Sequence, residues 1–302
     1  MQHRILAGLL GAGLLAACEP GAPQEEPAEV GPGALPAPAA EDRAELDLFV
    51  DRPTTGAQLV FVGQDGLSQT ARWPGAVLVP LSTFSIERDG IPNEFPPADS
   101  LAALLEAAGV RGDQMVIVGE PIPAGRAWAA FDYLALGDRA ALLNGGPAAL
   151  GNPPATGESV TGAESGKLDV DVRSDMIVNA EWVHARLEDP NVAIFDARPP
   201  AEFSGEIPGE GIERPGHIPG AQNVFWQTLV VSPDHPRLKD EAELRRMFEE
   251  AGVDPGDTVV AYCRTGGQAS FLYTVARHLG YDVRLYDGSF IDWSRTEYPV
   301  ER

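Results

Sequence analysis

The sequence predicts an α/β protein with two related domains, each a mainly parallel sheet that carries helices on both faces. The first observation behind this prediction is that short apolar runs alternate with helical patterns along most of the chain. The second is an internal repeat, because one ordered series of motifs occurs twice. The third is a hydrophobic content of 44%, which is sufficient for packed cores.

The N-terminus predicts a targeting segment. An early Arg is followed by an apolar run, Ile5–Ala17, that is too short for a standard membrane span. The next residue completes the tetrapeptide Leu-Ala-Ala-Cys, which resembles the lipobox of bacterial lipoproteins and implies that Cys18 is lipidated. The alternative is an ordinary secretory signal that contains a Cys. Residues 19–45 are rich in Pro, Ala, Gly and Glu and lack apolar periodicity, so we expect a disordered tether.

The acidic charge balance of the chain limits the kinds of partner that the protein can bind. The chain has 22 Lys and Arg against 45 Asp and Glu, a formal net charge of −23. Such an acidic protein is poorly suited to nucleic acid or to anionic lipid surfaces. Together with the lipobox-like motif, this predicts a protein in the cell envelope that faces the periplasm and touches the membrane only through its lipid anchor. We also expect a monomer. Glu19, at a position where Asp is a common inner-membrane signal, favours the outer membrane.

The internal repeat aligns the segment Leu104–Glu120 with Met247–Arg264. Each contains a helix end, Ala-Gly-Val, a turn with Gly-Asp, and a short apolar strand. In this alignment Gly119 falls where the second copy has Cys263. The later matches are Gly137 with Gly280 and Asn144-Gly145 with Asp287-Gly288. The repeat predicts a first domain over residues 46–150 and a second over 176–302, joined by a Gly/Pro/Ser/Thr-rich linker over 151–175.

The second domain shows its elements most clearly. They are, in chain order, a helix from Asn179 or Ala180 to Leu187, the strand VAIFDAR, a helix through Glu250, the strand TVVAY, a helix that Gly280 ends, and the strand VRLYDG. Asp240 and Glu243 indicate a capping box at the start of the helix through Glu250. Phe271, Val275 and Leu279 share one face of the next helix.

Cys263 directly follows the strand TVVAY, where open α/β sheets place their ligand crevices. The loop Arg264-Thr265-Gly266-Gly267-Gln268 then leads into a helix. Its glycines let N–H groups point inward, the helix N-terminus adds partial positive charge, and Arg264 adds a full charge. We therefore expect an anion-binding loop and a lowered pKa for Cys263. The alternative is an inert buried cysteine.

These motifs resemble the rhodaneses. CRTGGQAS resembles their active loop, FDARPPAEFSGE with GHIPGAQNV resembles their upstream strand and turn, and YDGSFIDW resembles their last strand and loop. The resemblance implies the family's tandem form, with an inactive first domain and a catalytic second domain. It also implies a sulfurtransferase of class EC 2.8.1, in which Cys263 takes a sulfane sulfur from thiosulfate or a similar anionic donor as a persulfide. A thiol or cyanide would accept the sulfur, and no metal or organic cofactor is required.

The resemblance also suggests roles for single residues. The predicted substrate-binding residues are Arg264, Thr265, Gly266, Gly267, Gln268 and Arg198, and the predicted supporting residues are Asp196, His217 and Trp293. Arg264 favours thiosulfate, because mercaptopyruvate-type members usually have Gly there. Asp196 and Arg198 could equally form a structural ion pair. We expect His217 to fix a turn and Trp293 to form a pocket wall.

Two positions depart from the thiosulfate pattern, and three other functions stay open. Glu202 and Thr265 stand where thiosulfate enzymes often carry positive charge, which leaves the donor undecided. A Cys-x5-Arg phosphatase or arsenate reductase conflicts with Ala269 at the sixth position after Cys263. A non-catalytic sulfur carrier or binding module is compatible with the loop. Thiol redox work would need an external partner, since a lipidated Cys18 leaves one free thiol.

Overall fold

The computed structural model describes residues 47–63, 73, 76–150 and 167–302. The predicted signal with Cys18, the tether over 19–45 and most of the predicted linker lie outside the described residues. We call residues 47–150 the first half and residues 167–302 the second half. Within the described residues, no helix is long and apolar enough to cross a membrane.

The first half alternates strands and helices, as the sequence predicts. Its strands are β1 (Phe49–Val50), β2 (Gln58–Gly63), β3 (Val77–Pro80), β4 (Ile86–Arg88), β5 (Ile91–Glu94), β6 (Met115–Val118) and β7 (Ala140–Leu143). Its α-helices are α1 (Ala98–Ala107) and α2 (Pro121–Tyr133), and a 3-10 helix spans Leu81–Phe84. Pro121 suits the first turn of α2, because that turn leaves its N–H groups unbonded in any case.

The second half repeats this order. Its strands are β8 (Ile177–Val178), β9 (Val192–Asp196), β10 (Gln222–Asn223), β11 (Val230–Ser232), β12 (His235–Leu238), β13 (Thr258–Tyr262) and β14 (Asp282–Tyr286). Its α-helices are α3 (Ala180–His184), α4 (Pro200–Phe203), α5 (Glu241–Glu250), α6 (Gly267–His278) and α7 (Ser289–Trp293), and a 3-10 helix spans Trp226–Leu229.

The two main sheets have the same topology. Over the described residues, the first half has a five-stranded sheet in the order β1-β7-β6-β2-β3, and the second has β8-β14-β13-β9-β10 when read in the same direction. All neighbouring strands in both sheets are parallel. Each half also carries an antiparallel hairpin at the same point of its chain, β4-β5 and β11-β12. The predicted fold class is confirmed, and the shared strand order supports the internal repeat.

Helices α2 and α6 pack against each other and join the two halves into one core. Phe271 of α6 lies where a side chain at Gly125 of α2 would point, because a Cβ on that glycine would lie 2.6 Å from the Phe271 backbone. Only a residue without a Cβ permits such close approach of two helices. Trp128 and Tyr273 add a buried aromatic contact, with ring centroids 6.2 Å apart.

The helix ends of the second half agree in part with those predicted from the sequence. Asn179 caps α3 through its side chain, but the α-helix ends at His184, before the predicted Leu187. Asp240 caps α5 by accepting from the Ala242 N–H. The reciprocal arm of the predicted capping box is wrong, because the Glu243 carboxylate pairs with Lys239 at 2.7 Å. Gly280 follows α6 with φ of +83°, as a C-terminal glycine should.

Candidate active site

Cys263 lies at the carboxyl end of β13, and the loop after it curls around its sulfur. The Gly266 N–H donates to Cys263 Sγ at 3.1 Å. Gly266 has φ of +90°, a left-handed conformation that side chains disfavour, and this conformation turns its N–H back toward the sulfur. The Cys263 N–H donates to Ser289 Oγ at 3.2 Å, which fixes the start of the loop. The predicted inward N–H groups therefore bond the thiol itself.

The predicted lowering of the Cys263 pKa is wrong in direction. Burial is the largest influence and raises the pKa of the thiol, since only 2% of the residue is exposed. The backbone N–H groups of Ala269, Thr265 and Gly266 act in the opposite direction, and the Asp196 carboxylate raises the pKa further. The charge of the neighbouring Arg is visible in the sequence, whereas the depth at which the thiol is buried is not.

A cavity of about 430 Å³ opens beside Cys263, between the two halves. The second half contributes the thiol and the residues that follow it, and the first half supplies the opposite wall. The lining residues are Leu81, Ser82, Ser85, Asn93, Ile122, Arg126, Cys263, Arg264, Thr265, Gly267 and Gln268. This volume suits a small ligand, and the polar lining suits one that accepts hydrogen bonds.

Arg264 lines the cavity and also lies close to an acidic residue. Its Nη1 lies 3.9 Å from Glu202 Oε1, on α4. The Arg264 side chain is 37% exposed and the Glu202 side chain 14% exposed. Glu202 Oε2 is buried and has no hydrogen-bond partner among the described residues. Arg264 is therefore loosely paired, and an incoming anion would compete with a carboxylate for it.

Asp196 and Arg198 form a fully buried ion pair away from the cavity lining. Arg198 Nε and Nη2 donate to both carboxylate oxygens of Asp196, and Nη2 also donates to the Gly216 carbonyl at 2.8 Å. Burial lowers the pKa of Arg198, but the acidic groups around it, with Asp196 foremost and Tyr262 and Glu202 after it, together raise the pKa. The structure thus shows Arg198 in the structural ion pair and outside the cavity lining. Its Nη1 has no partner among the described residues.

His217 and Trp293 both lie in structural positions. His217 stacks on Phe203 with centroids 3.8 Å apart, and its Nδ1 lies 2.9 Å from the Phe203 carbonyl oxygen. This contact fits the expected turn-fixing role. Trp293 is fully buried, donates from Nε1 to the Pro299 carbonyl and packs on Tyr298. Trp293 therefore belongs to the core instead of the pocket wall that we expected.

The structure brings together Cys263, Arg264, Thr265, Gly267 and Gln268 at the cavity, with Gly266 directly behind the thiol. The cavity wall from the first half was not predicted from the sequence. One signal was available, because α2 carries the charged residues Arg126 and Asp132 among alanines and aromatics. Over the described ranges, no group of three or more His, Cys, Asp or Glu residues could hold a metal ion.

The second half matches a known family. Residues 179–296 match the family described as "Rhodanese-like domain". This range contains Cys263 and the loop that surrounds its sulfur.

Three relatives extend the similarity over both halves. The chain is 29% identical to 3-mercaptopyruvate sulfurtransferase of Escherichia coli (strain K12), over 76% of this chain and 82% of that protein. It is 29% identical to thiosulfate sulfurtransferase of Azotobacter vinelandii, over 86% of this chain and 99% of that protein. It is 31% identical to sulfur carrier protein TtuD of Thermus thermophilus, over 68% of this chain and 76% of that protein.

A solved structure shares the fold. The crystal structure of the Tum1 protein from Saccharomyces cerevisiae covers 81% of this chain and 92% of its own chain, with a TM-score of 0.67. The sequence identity is 21%, so this likeness concerns the architecture of the two halves.

Proposed function

Because this chain belongs to the rhodanese family, we propose that it is a sulfurtransferase that carries a sulfane sulfur on Cys263. The relatives support a sulfurtransferase or sulfur-carrier role, within class EC 2.8.1 for an enzyme. The observation that carries the proposal is the contact at the cavity floor, where the Gly266 N–H donates to Cys263 Sγ at 3.1 Å. A thiolate held by backbone N–H groups beside an open cavity is suited to nucleophilic attack.

The first displacement loads the enzyme. The Cys263 thiol releases its proton to solvent, and the thiolate attacks the outer sulfur of the donor. A bond forms between Sγ and that sulfur, and the sulfur–sulfur bond inside thiosulfate breaks. The bonding electron pair leaves with sulfite, so the two negative charges of thiosulfate depart on the product. Cys263 is left as a persulfide anion.

The second displacement returns the thiolate. An acceptor thiolate or cyanide attacks the outer sulfur of the persulfide, the Sγ–S bond breaks, and its electron pair stays on Sγ. The N–H groups of Thr265, Gly266 and Ala269, which already favour negative charge on Cys263, would stabilise the anion at each stage. Two displacements through one covalent intermediate predict ping-pong kinetics.

The donor in this proposal is a small anion bound by Arg264, with thiosulfate as the first candidate. Arg264 lines the cavity beside Cys263, whereas Arg198 is fully buried in its pair with Asp196. The hydroxyl and amide groups of Thr265 and Gln268 can donate to donor oxygens. The polar wall of the first half leaves room for donors larger than thiosulfate, including 3-mercaptopyruvate.

The test is the intact mass of the purified protein after incubation with thiosulfate. We expect one added sulfur atom that cyanide removes, and we expect none in Cys263→Ser. The same measurement with 3-mercaptopyruvate covers the second donor. If neither donor adds sulfur to the folded wild-type protein, the proposal is wrong.

A sulfur carrier is the second candidate, and the similarity to the carrier from Thermus thermophilus favours considering it. Both functions require the Cys263 persulfide, so acceptor turnover separates them. Steady-state turnover with cyanide or a small thiol supports the enzyme. A persulfide that forms but moves only to a partner protein supports the carrier.

We also propose that a lipidated Cys18 anchors the protein in the cell envelope, facing the periplasm. The support is the lipobox-like Leu-Ala-Ala-Cys tetrapeptide after an apolar run. In cells, labelled fatty acid should attach to the wild type and not to Cys18→Ser, and this variant should leave the membrane fraction. Equal labelling of both proteins would contradict the anchor.

A further inference from the structure

The contact between the two halves follows the symmetry of the repeat. In the first half, the hairpin β4-β5 is followed by Phe95, whose N–H donates to Asp287 Oδ2 of the second half at 2.6 Å. In the second half, the N–H of Leu238 on β12 donates to Asn144 Oδ1 of the first half at 2.8 Å. The first half therefore donates a hydrogen bond to the Asp-Gly turn of the second half, and the second half donates one to the Asn-Gly turn of the first. The thiol lies on one side of this symmetric contact.

On the side of the thiol, the symmetry is broken by a buried cation from the first half. Arg126 of α2 is 2% exposed, and its Nη1 lies 2.5 Å from Asp287 Oδ1. Its Nη1 also donates to Ser270 Oγ at 3.2 Å. The remaining donors reach the carbonyls of Phe84 and Asn93. A buried charge is tolerated only when it is paired and fully bonded, so these groups hold one another in place.

This network touches the loop that bonds the thiol. Gly266 donates its N–H to Cys263 Sγ, and its carbonyl accepts from Ser270 Oγ at 2.8 Å. A Cβ on Gly266 would lie 2.8 Å from Asp287 Oδ1 and 3.2 Å from Arg126 Nη1. The ion pair therefore packs directly against the Gly266 backbone.

We infer that Arg126 and Asp287 are positioning residues, whose ion pair between the halves holds the Gly266 N–H against Cys263 Sγ. The first half then contributes to the function of the site through Arg126, although it has Gly119 at the position of the cysteine. This inference rests on the proposed function, because the position of the thiol matters for sulfur transfer only if Cys263 carries the sulfur.

The first half cannot provide such a loop of its own. Its equivalent segment after β6 is Gly119-Glu120-Pro121-Ile122-Pro123. Proline has no backbone N–H, and Pro121 falls where Thr265 supplies one of the three inward donors, so that donor is missing there. In this arrangement the second copy of the repeat carries the thiol, and the first copy carries the cation that holds the thiol loop in place.

Arg126→Lys in the full chain tests the inference. Lysine keeps the charge but lacks the planar fork that bonds several acceptors at once. We expect the Gly266 N–H to lose its fixed position, so that the thiolate is less stabilised. The midpoint of the pH profile for iodoacetamide alkylation of Cys263 should rise by about one pH unit, and the rate at a fixed lower pH should fall about tenfold. Peptide mass mapping assigns the alkylation to Cys263.

Arg277→Lys is the matched control. Arg277 lies on α6 and, like Arg126, forms an ion pair between the halves, with its Nε 3.4 Å from Asp132 Oδ2 on α2. This pair is at the other end of the two helices from the thiol loop. We expect the control to lower the melting temperature to a similar extent as Arg126→Lys and to leave the alkylation midpoint unchanged.

A milder variant covers the case in which Arg126→Lys does not fold. Ser270→Ala removes the hydroxyl that joins Arg126 to the Gly266 carbonyl, and it should shift the midpoint in the same direction by a smaller amount, with a rate about threefold lower. The inference is overturned if the folded Arg126 and Ser270 variants keep the wild-type midpoint, or if Arg277→Lys shifts it equally. A shifted midpoint in a protein that forms no persulfide would refute the proposed function and keep the positioning role.

Discussion

Replacing Glu202 by glutamine tests how the cavity attracts its sulfur donor. In the structure this carboxylate lies 3.9 Å from Arg264 Nη1, and its second oxygen is buried and unpartnered among the described residues. Glutamine keeps the shape and removes the charge. We expect the substitution to free Arg264 for an anionic donor and to raise kcat/KM, which in ping-pong kinetics reports the attack of Cys263 on that donor.

The size of the effect follows from the geometry. Two unit charges about 4 Å apart interact by about 1 kcal/mol in a water-like dielectric, which suits Arg264 because its side chain is 37% exposed. A donor bound at Arg264 would feel a repulsion of similar size from Glu202 for each negative charge that it carries. We therefore expect about a fivefold gain in kcat/KM for a monoanion and up to about thirtyfold for a dianion.

Thiosulfate and methanethiosulfonate form a matched pair of donors for this assay. Both present a terminal sulfane sulfur, but the first carries two negative charges and the second carries one. Glu206→Gln is the control variant, because Glu206 is exposed nearby and the change in net charge is the same. The gain in Glu202→Gln should be about fivefold larger for thiosulfate than for methanethiosulfonate. Equal gains for both donors, or the same gains in Glu206→Gln, would refute the reasoning.

Three further predictions concern the thiol and its loop. Burial raises the pKa of Cys263, so the folded protein holds this proton more tightly than the unfolded chain does. The pH midpoint for alkylation of Cys263 should therefore be higher in buffer than in urea. A lower midpoint in the folded protein would contradict this. Gly266→Ala places a Cβ 2.8 Å from Asp287 Oδ1 at φ of +90°, so urea unfolding should show a loss of about 1–3 kcal/mol, together with slower persulfide formation. Gly119→Cys should not create a second persulfide, because its Cβ would lie 2.8 Å from the Val62 carbonyl oxygen; two added sulfur atoms in the intact mass would disprove this.

The alternation of strands and helices and the loop after Cys263 could be predicted because they depend on local sequence. Apolar runs of β-branched residues between helical patterns indicate a parallel sheet, and the paired glycines after Cys263 mark a curled loop before a helix. The match between Gly119 and Cys263 followed from motif spacing alone. The sequence also indicated that Glu202 stands where thiosulfate enzymes often carry a positive charge. In the structure this carboxylate lies close to Arg264.

The pKa of Cys263, the surroundings of Arg198 and the wall of the cavity could not be predicted in the same way. Each depends on groups that are far apart in the chain. The depth at which Cys263 is buried results from the packing of both halves, and the contact between Arg126 and Asp287 spans 161 positions. The resemblance to the family implied that Arg198 lies near the anion, whereas in the fold its guanidinium is bonded to Asp196.

The order of the two halves along the chain has a consequence for synthesis. Domains generally fold as units while the chain is made, starting from the N-terminus. The half that supplies Arg126 is therefore synthesised before Cys263 is added. Because residues of both halves share one core, Cys263 reaches its buried position only when the second half has packed against the first.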